Sequence, residues 1–213
     1  MKRLTSRITR IARTMLLRLI DYHPRIFWDL WAIDFDKNPE QIILHPWNIE
    51  ALKLITRNTP NSILEIGCGF GRNLRVLLND GFPSNRLYGI DISKRMLVKC
   101  RKHLDGSGVF LAQADITSLP FCDFCFDVVY VSLVLMHVAE NNVIHGILEA
   151  IRVAKRSVVF LEEYRSMNSC EMTFNINDYT FAHNYKRYLQ KLGYDIEQFF
   201  VMDKWCIFSI RKE

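Results

Sequence analysis

The 213-residue sequence contains no run approaching the ~20 uninterrupted apolar residues that a membrane-spanning helix needs. It also shows no secretory apolar stretch leading to a small-residue cleavage site. A soluble, cytoplasmic protein is expected. Internal repeats and low-complexity linkers are missing too, which leaves one compact α/β domain with a short appendage for a chain that is 49% hydrophobic. The six cysteines (Cys68, Cys100, Cys122, Cys125, Cys170 and Cys206) do not frame a small loop-rich fold, so reduced thiols are expected. Cys122 and Cys125 have metal-like spacing, but no second Cys or His pair lies nearby to complete a tetrahedral site. A plain solvent-side turn is expected there, and no metal.

Acidic residues are missing from positions 1–20, which hold Lys2, Arg3, Arg7, Arg10, Arg13 and Arg18. Those six cations exceed the whole chain's net charge of +5, so the body is close to neutral. That excludes a nucleic-acid footprint spread across the fold. At ~100° per residue, Leu4, Ile8, Ile11, Met15 and Leu19 share one helical face, with Arg3, Arg7, Arg10 and Arg13 on another. Such a basic amphipathic helix, stopped by His23-Pro24, fits three roles: packing on the domain, lying on an anionic membrane surface, or serving as a mitochondrial presequence. Peripheral contact with an inner membrane and a mitochondrial location in a eukaryote therefore stay open. The aromatic segment that follows, with Phe27, Trp28, Trp31 and Trp47, completes an N-terminal unit over residues 1–47. Pro46 opens the helix of residues 48–58.

The chain is organised around residues 62–73, Ser-Ile-Leu-Glu-Ile-Gly-Cys-Gly-Phe-Gly-Arg-Asn. An aliphatic run rises to Glu65, breaks at Gly67, Gly69 and Gly71, and resumes with helical spacing. This predicts a strand, a tight turn and a helix, with a ligand lying on the turn at the helix N-terminus. A nicotinamide dinucleotide fingerprint is excluded, because Arg72 stands where its third glycine belongs.

Strands and helices then alternate. Strands are predicted over 62–67, 86–91, 109–113, 126–132 and 157–161. Helices are predicted from about 72 to before Gly81, over 94–104 with Ser93 as N-cap, and through Ile144 to Ile151. A further helix is predicted over 179–192, stopped by Gly193. Alternation of this kind implies a parallel sheet with helices on both faces. The last two strands, 196–202 and 205–210, are joined by Asp203-Lys204 alone. Two residues turn a hairpin but cannot make a parallel crossover, so one strand must run antiparallel.

These features together resemble the class I methyltransferases that depend on S-adenosylmethionine (SAM), over roughly residue 48 to the C-terminus. The resemblance implies a Rossmann-like seven-stranded α/β sheet with the last strand antiparallel, preceded by the N-terminal helical extension, and a SAM-binding domain over 48–213. Glu65, Gly67, Cys68, Gly69, Gly71 and Arg72 match the family's first motif, with Arg72 a partner for the cofactor's carboxylate. Asp91 ends the second strand 20 positions after Gly71 and matches the acid that accepts from ribose hydroxyls. Ile92 and Met96 suit packing on the adenosyl group. Asp115 and Ile116 resemble the adenine contact, and Ser132 closes the fourth strand beside the cofactor. Three acids suit a sulfonium cation and would repel a pyrophosphate.

The resemblance also implies a SAM-dependent methyltransferase yielding S-adenosylhomocysteine (SAH), without a metal. His137, just after the fourth strand, is a candidate general base. Glu163, Tyr164 and His183 form a second candidate group, beside a long aperiodic insertion over 165–178 that reads as a substrate lid. No Asn-Pro-Pro-Tyr-like tetrapeptide follows the fourth strand, which speaks against amino-methylating enzymes of DNA bases and glutamine. The expected partner is a small-molecule or glycan acceptor, methylated at oxygen, and nucleic acid is not expected. An RNA or protein methyltransferase using the basic N-terminal helix, and a binding module that holds SAM without turnover, are the alternatives.

Overall fold

The computed structural model describes residues 23–164, 174–175, 180–181 and 183–212. The basic helix predicted near the N-terminus and most of the 165–178 insertion lie outside the described residues.

A seven-stranded sheet forms from β1 (Ile63–Ile66), β2 (Leu87–Asp91), β3 (Phe110–Gln113), β4 (Phe126–Ser132), β5 (Ala154–Glu163), β8 (Gln198–Met202) and β9 (Trp205–Arg211), in the spatial order β3-β2-β1-β4-β5-β9-β8. The first five strands pair in parallel, and β9 runs antiparallel between β5 and β8. The two-residue connection at 203–204 therefore does what its length requires. The short β6 (Phe174–Asn175) and β7 (Thr180–Phe181) pair apart from this sheet.

Side chains on a strand alternate between faces, and the core divides accordingly. Ile63, Val128, Tyr130, Val159, Leu161 and Ile207 meet α3 (Pro46–Thr56), α4 (Arg72–Asn79) and α5 (Lys94–Leu104). Leu64, Ile66, Val129, Val131, Phe160 and Phe208 meet α6 (Glu140–Val153) and α7 (Tyr185–Leu192). The result is helix, sheet and helix in three layers. α1 (Pro24–Trp31) and the single turn α2 (Pro39–Ile42) precede this body.

Three expectations need correction. The fifth strand is twice the predicted length, since β9 pairs with it along Ser157 to Glu163 and β4 pairs with Ala154, neither of which local hydropathy reveals. The helix expected from 179 starts at Tyr185, where Asn184 Oδ1 accepts the Arg187 amide as a cap; Thr180 and Phe181 are in β7 instead. Finally, Cys122 and Cys125 are joined by a disulfide, and Cys68, Cys100 and Cys206 are free. The turn places the two bridged Cα atoms 5.7 Å apart, within bridging range. Arg152 fixes that turn by donating to Leu119 O, Phe121 O and Asp123 Oδ1 at 3.1, 2.8 and 2.7 Å.

Candidate active site

Strand order reverses between β1 and β4, and such a switch point leaves a crevice beyond the carboxyl ends of the strands. A cleft of about 610 Å³ lies there. The glycine turn forms its floor. The amides of Gly67 and Cys68 both donate to Ile90 O, at 2.8 and 2.9 Å, which ties the turn to β2. Gly67 has φ +73°, and a Cβ at that position would run into Val134 Cγ2. Gly69, at φ +55°, faces open space within the cleft. A side chain at either position would be strained, and at Gly67 it would also collide.

Three acids stand around this floor. Asp91 Oδ2 accepts from Gly69 N at 2.9 Å and its Oδ1 from Ser93 N at 2.8 Å. Burial pushes its pKa up to about 6 against those two bonds, with Asp29 adding to the rise. Glu65 is 2% exposed and its pKa is pushed up to about 8 by burial. Asn73 Nδ2 donates to Glu65 Oε1 at 2.7 Å, while Glu65 Oε2 is buried without a hydrogen-bond partner. The carboxylate lines the cleft with one oxygen unsatisfied. Asp115, beyond β3, accepts both the amide and the hydroxyl of Thr117 on Oδ1, at 2.9 and 2.8 Å.

Every cofactor-site residue expected from the sequence lines the cleft except Gly71, which N-caps α4 beneath it. Arg72 is also committed elsewhere in part. Its Nη1 donates to Gln41 O and Ile43 O at 3.1 and 3.2 Å, holding down the N-terminal segment, while its Nε is buried without a partner.

That segment, residues 23–45, closes one side of the cleft with Phe27, Trp28, Trp31 and Phe35. Asp29 secures it by accepting from Ser93 Oγ at 2.6 Å and Arg95 N at 3.2 Å, at the N-terminus of α5. An ion pair between Asp36 and Lys99 adds a second tie. Opposite, the loop after β4 brings His137 to the cleft, its ring edge-on to Trp28 with centroids 4.7 Å apart. Glu163 from β5, Thr180 from β7, Lys204 from the β8–β9 turn and Trp205 at the start of β9 complete this side.

His183 does not join them. It is 2% exposed, and its Nε2 lies 2.9 Å from Val138 O, so it packs behind the loop that the cleft presents. Burial lowers its pKa. Asp29 and Asn73 are residues whose roles sequence reasoning missed. Asn73 alone had a signal, since its position in the first turn of α4 faces the strand end that carries Glu65. Among the described residues, no group of three or more His, Cys, Asp or Glu could hold a metal ion.

Residues 64–161 match the family described as methyltransferase domain. The match covers just under half of the chain, and the strand order around it is that of the class I methyltransferase fold. The fold is shared with the SAM-dependent methyltransferase of Mesorhizobium loti, which is 17% identical with a TM-score of 0.62 over 78% of this chain and 98% of that one. It is shared equally with the magnesium protoporphyrin IX methyltransferase of Synechocystis PCC 6803, solved with bound SAH, which is 14% identical with a TM-score of 0.61 over 95% and 94%. In sequence, the domain is 40% identical over 68 residues to trans-aconitate 2-methyltransferase of an Acidovorax species, strain JS42. That stretch is 32% of this chain and spans only a quarter of the relative's length.

SAM is the cofactor of this domain class, and the cleft fits it on its own chemistry. An unsatisfied, buried carboxylate oxygen on Glu65 requires a donor or a cation. The open side of Gly69 admits a ligand against the backbone. Asp91 accepts two amides and keeps lone pairs for hydroxyl donors.

Proposed function

We propose that this protein transfers a methyl group from SAM to a small-molecule or sugar acceptor, at oxygen, with His137 as general base. The observation that carries the proposal is the unpartnered Glu65 oxygen, buried at the floor of a cleft that Asp91 and Asp115 also line. A pyrophosphate laid on the glycine turn would face those three acids.

In this reading Glu65 and Asn73 hold the cationic methionine end, Asp91 the ribose hydroxyls, and Asp115 with the Ile116 amide the adenine, while Ile92 and Met96 pack on its faces. SAM supplies an activated methyl group on a sulfonium, which leaves as a neutral thioether. The chain contributes alignment and dryness. Residues 23–45 cover the cofactor and exclude water, fixed by Asp29, Asp36 and Arg72. His137, steadied by Trp28, takes the proton from the acceptor hydroxyl as it attacks. Glu163, Thr180 and Lys204 contact the acceptor. The relative named for trans-aconitate, a small acid, supports a small-molecule acceptor.

Incubation of the protein with methyl-labelled SAM and cell extract, followed by separation into small-molecule, lipid, RNA and protein pools, tests the proposal. Label is expected in the small-molecule or lipid-linked sugar pool. Label confined to RNA or protein would overturn the acceptor class, and label in no pool would overturn turnover itself.

A further inference from the structure

We propose that Glu162 is the positioning residue for His137, acting through the backbone of the loop between them; this rests on the reading of His137 as base given above. Glu162 lies on β5, is 0% exposed, and is absent from the cleft lining. Its Oε1 accepts from Val134 N and Leu135 N, both at 3.0 Å, and its Oε2 from Met136 N at 3.1 Å. Three successive amides aimed at one point form a nest, the arrangement with which proteins bind anions. Here the chain supplies the anion itself.

The loop is defined at both ends of that nest. It leaves β4 through Leu133, a non-glycine residue at φ +57° whose amide donates to Leu161 O at 2.8 Å. It closes at a short 3-10 turn, Leu135–His137, where the His137 amide donates to Val134 O at 2.9 Å. Every backbone amide from 133 to 137 is therefore assigned, three of them to Glu162. The same contact fixes Val134, whose side chain occupies the space beside Gly67 that a Cβ would need. One buried carboxylate thus sets the loop against the glycine turn and sets the histidine at the cleft. A neutral side chain cannot do the same. Gln in this place has a single acceptor oxygen, and its NH₂ group would face an amide donor. Burial opposes the arrangement and raises the Glu162 pKa to about 8 even with the three amides favouring the ionised form.

Glu162→Gln, His137→Ala and the double variant, each as the full chain, test this. For Glu162→Gln the Met136 amide is expected to lose protection from hydrogen exchange, and the imidazole resonances of His137 to shift. Label transfer into extract is expected to fall about tenfold or more, as for an impaired general base. SAH affinity by calorimetry should stay within about twofold, since the cofactor contacts lie on other strands. The double variant should transfer no less than His137→Ala alone, because both changes remove the same function. Glu162→Asp, which keeps the charge, provides a second variant in case Gln impairs folding, and should retain more transfer than Gln. Full transfer by Glu162→Gln, independent losses multiplying in the double variant, or cofactor affinity falling in step with transfer would each overturn the proposal. Wild-type protein that neither binds SAH nor transfers label would instead overturn the methyltransferase reading, while the exchange of the Met136 amide would still report on the nest.

Discussion

The two sides of the cleft are built by different means. On the side proposed for the cofactor, the geometry is set largely by backbone: a glycine turn tied to β2, Asp91 held by the Gly69 and Ser93 amides, and Asp115 held by the Thr117 amide. On the side proposed for the acceptor, it is set by side chains brought from five separate segments, with His137, Glu163, Thr180, Lys204 and the Trp28 ring meeting only in three dimensions. A backbone-built half binds one invariant ligand, and a side-chain-built half is free to differ in what it accepts. The difference can be broken from either side.

The largest effect is expected on the acceptor side. His137→Ala should lower label transfer by about 10²–10⁴, the range for loss of general-base catalysis, with SAH affinity within about twofold by calorimetry. Affinity falling with transfer would show that the two halves are not separable. On the cofactor side, Gly67→Ala should weaken SAM binding about 100-fold, since the added methyl meets Val134 in a left-handed backbone conformation. Calorimetry checks this, and retained affinity would mean that the turn is not the floor of the site.

A pH dependence sharpens the comparison further. Burial raises Glu65 to about 8 and Asp91 to about 6, both above ordinary carboxylates. Acids with raised folded-state values stabilise the ligand-free protein at low pH, and that contribution is lost as pH climbs through about 6 and then about 8. A cationic ligand favours the ionised forms. SAM affinity should therefore rise about tenfold from pH 6.5 to 8, with proton release on binding that is detectable in buffers of different ionisation enthalpy. A flat profile would mean that Glu65 is already ionised without ligand. The smallest effect is on the cover. Asp29→Ala removes an acceptor from Ser93 and Arg95 and should speed SAH dissociation a few-fold in stopped flow, equivalent to about 1 kcal/mol for a helix-start contact.

The same contrast explains what was legible in the sequence. Strand and helix periods, glycines at alternate positions and acids at strand ends are local patterns, so β1 to α5 and the cofactor side could be read residue by residue. The hairpin at 203–204 could be read from its length. Other features depended on tertiary register. Glu162 meets Val134 only because β4 and β5 pair in parallel, and Asp29 reaches Ser93 across 64 positions. His183 was singled out by residue type, which does not distinguish a cleft from the layer behind it. The bridge between Cys122 and Cys125 depends on a turn with Phe124 at φ +56°, which nothing in their composition announces.

Titration of SAH into the wild-type protein and into Asp91→Ala by calorimetry tests the central claim most directly. The account predicts one saturable site per wild-type chain and its loss or severe weakening in the variant. No heat from the wild type, or identical binding by both, would contradict it.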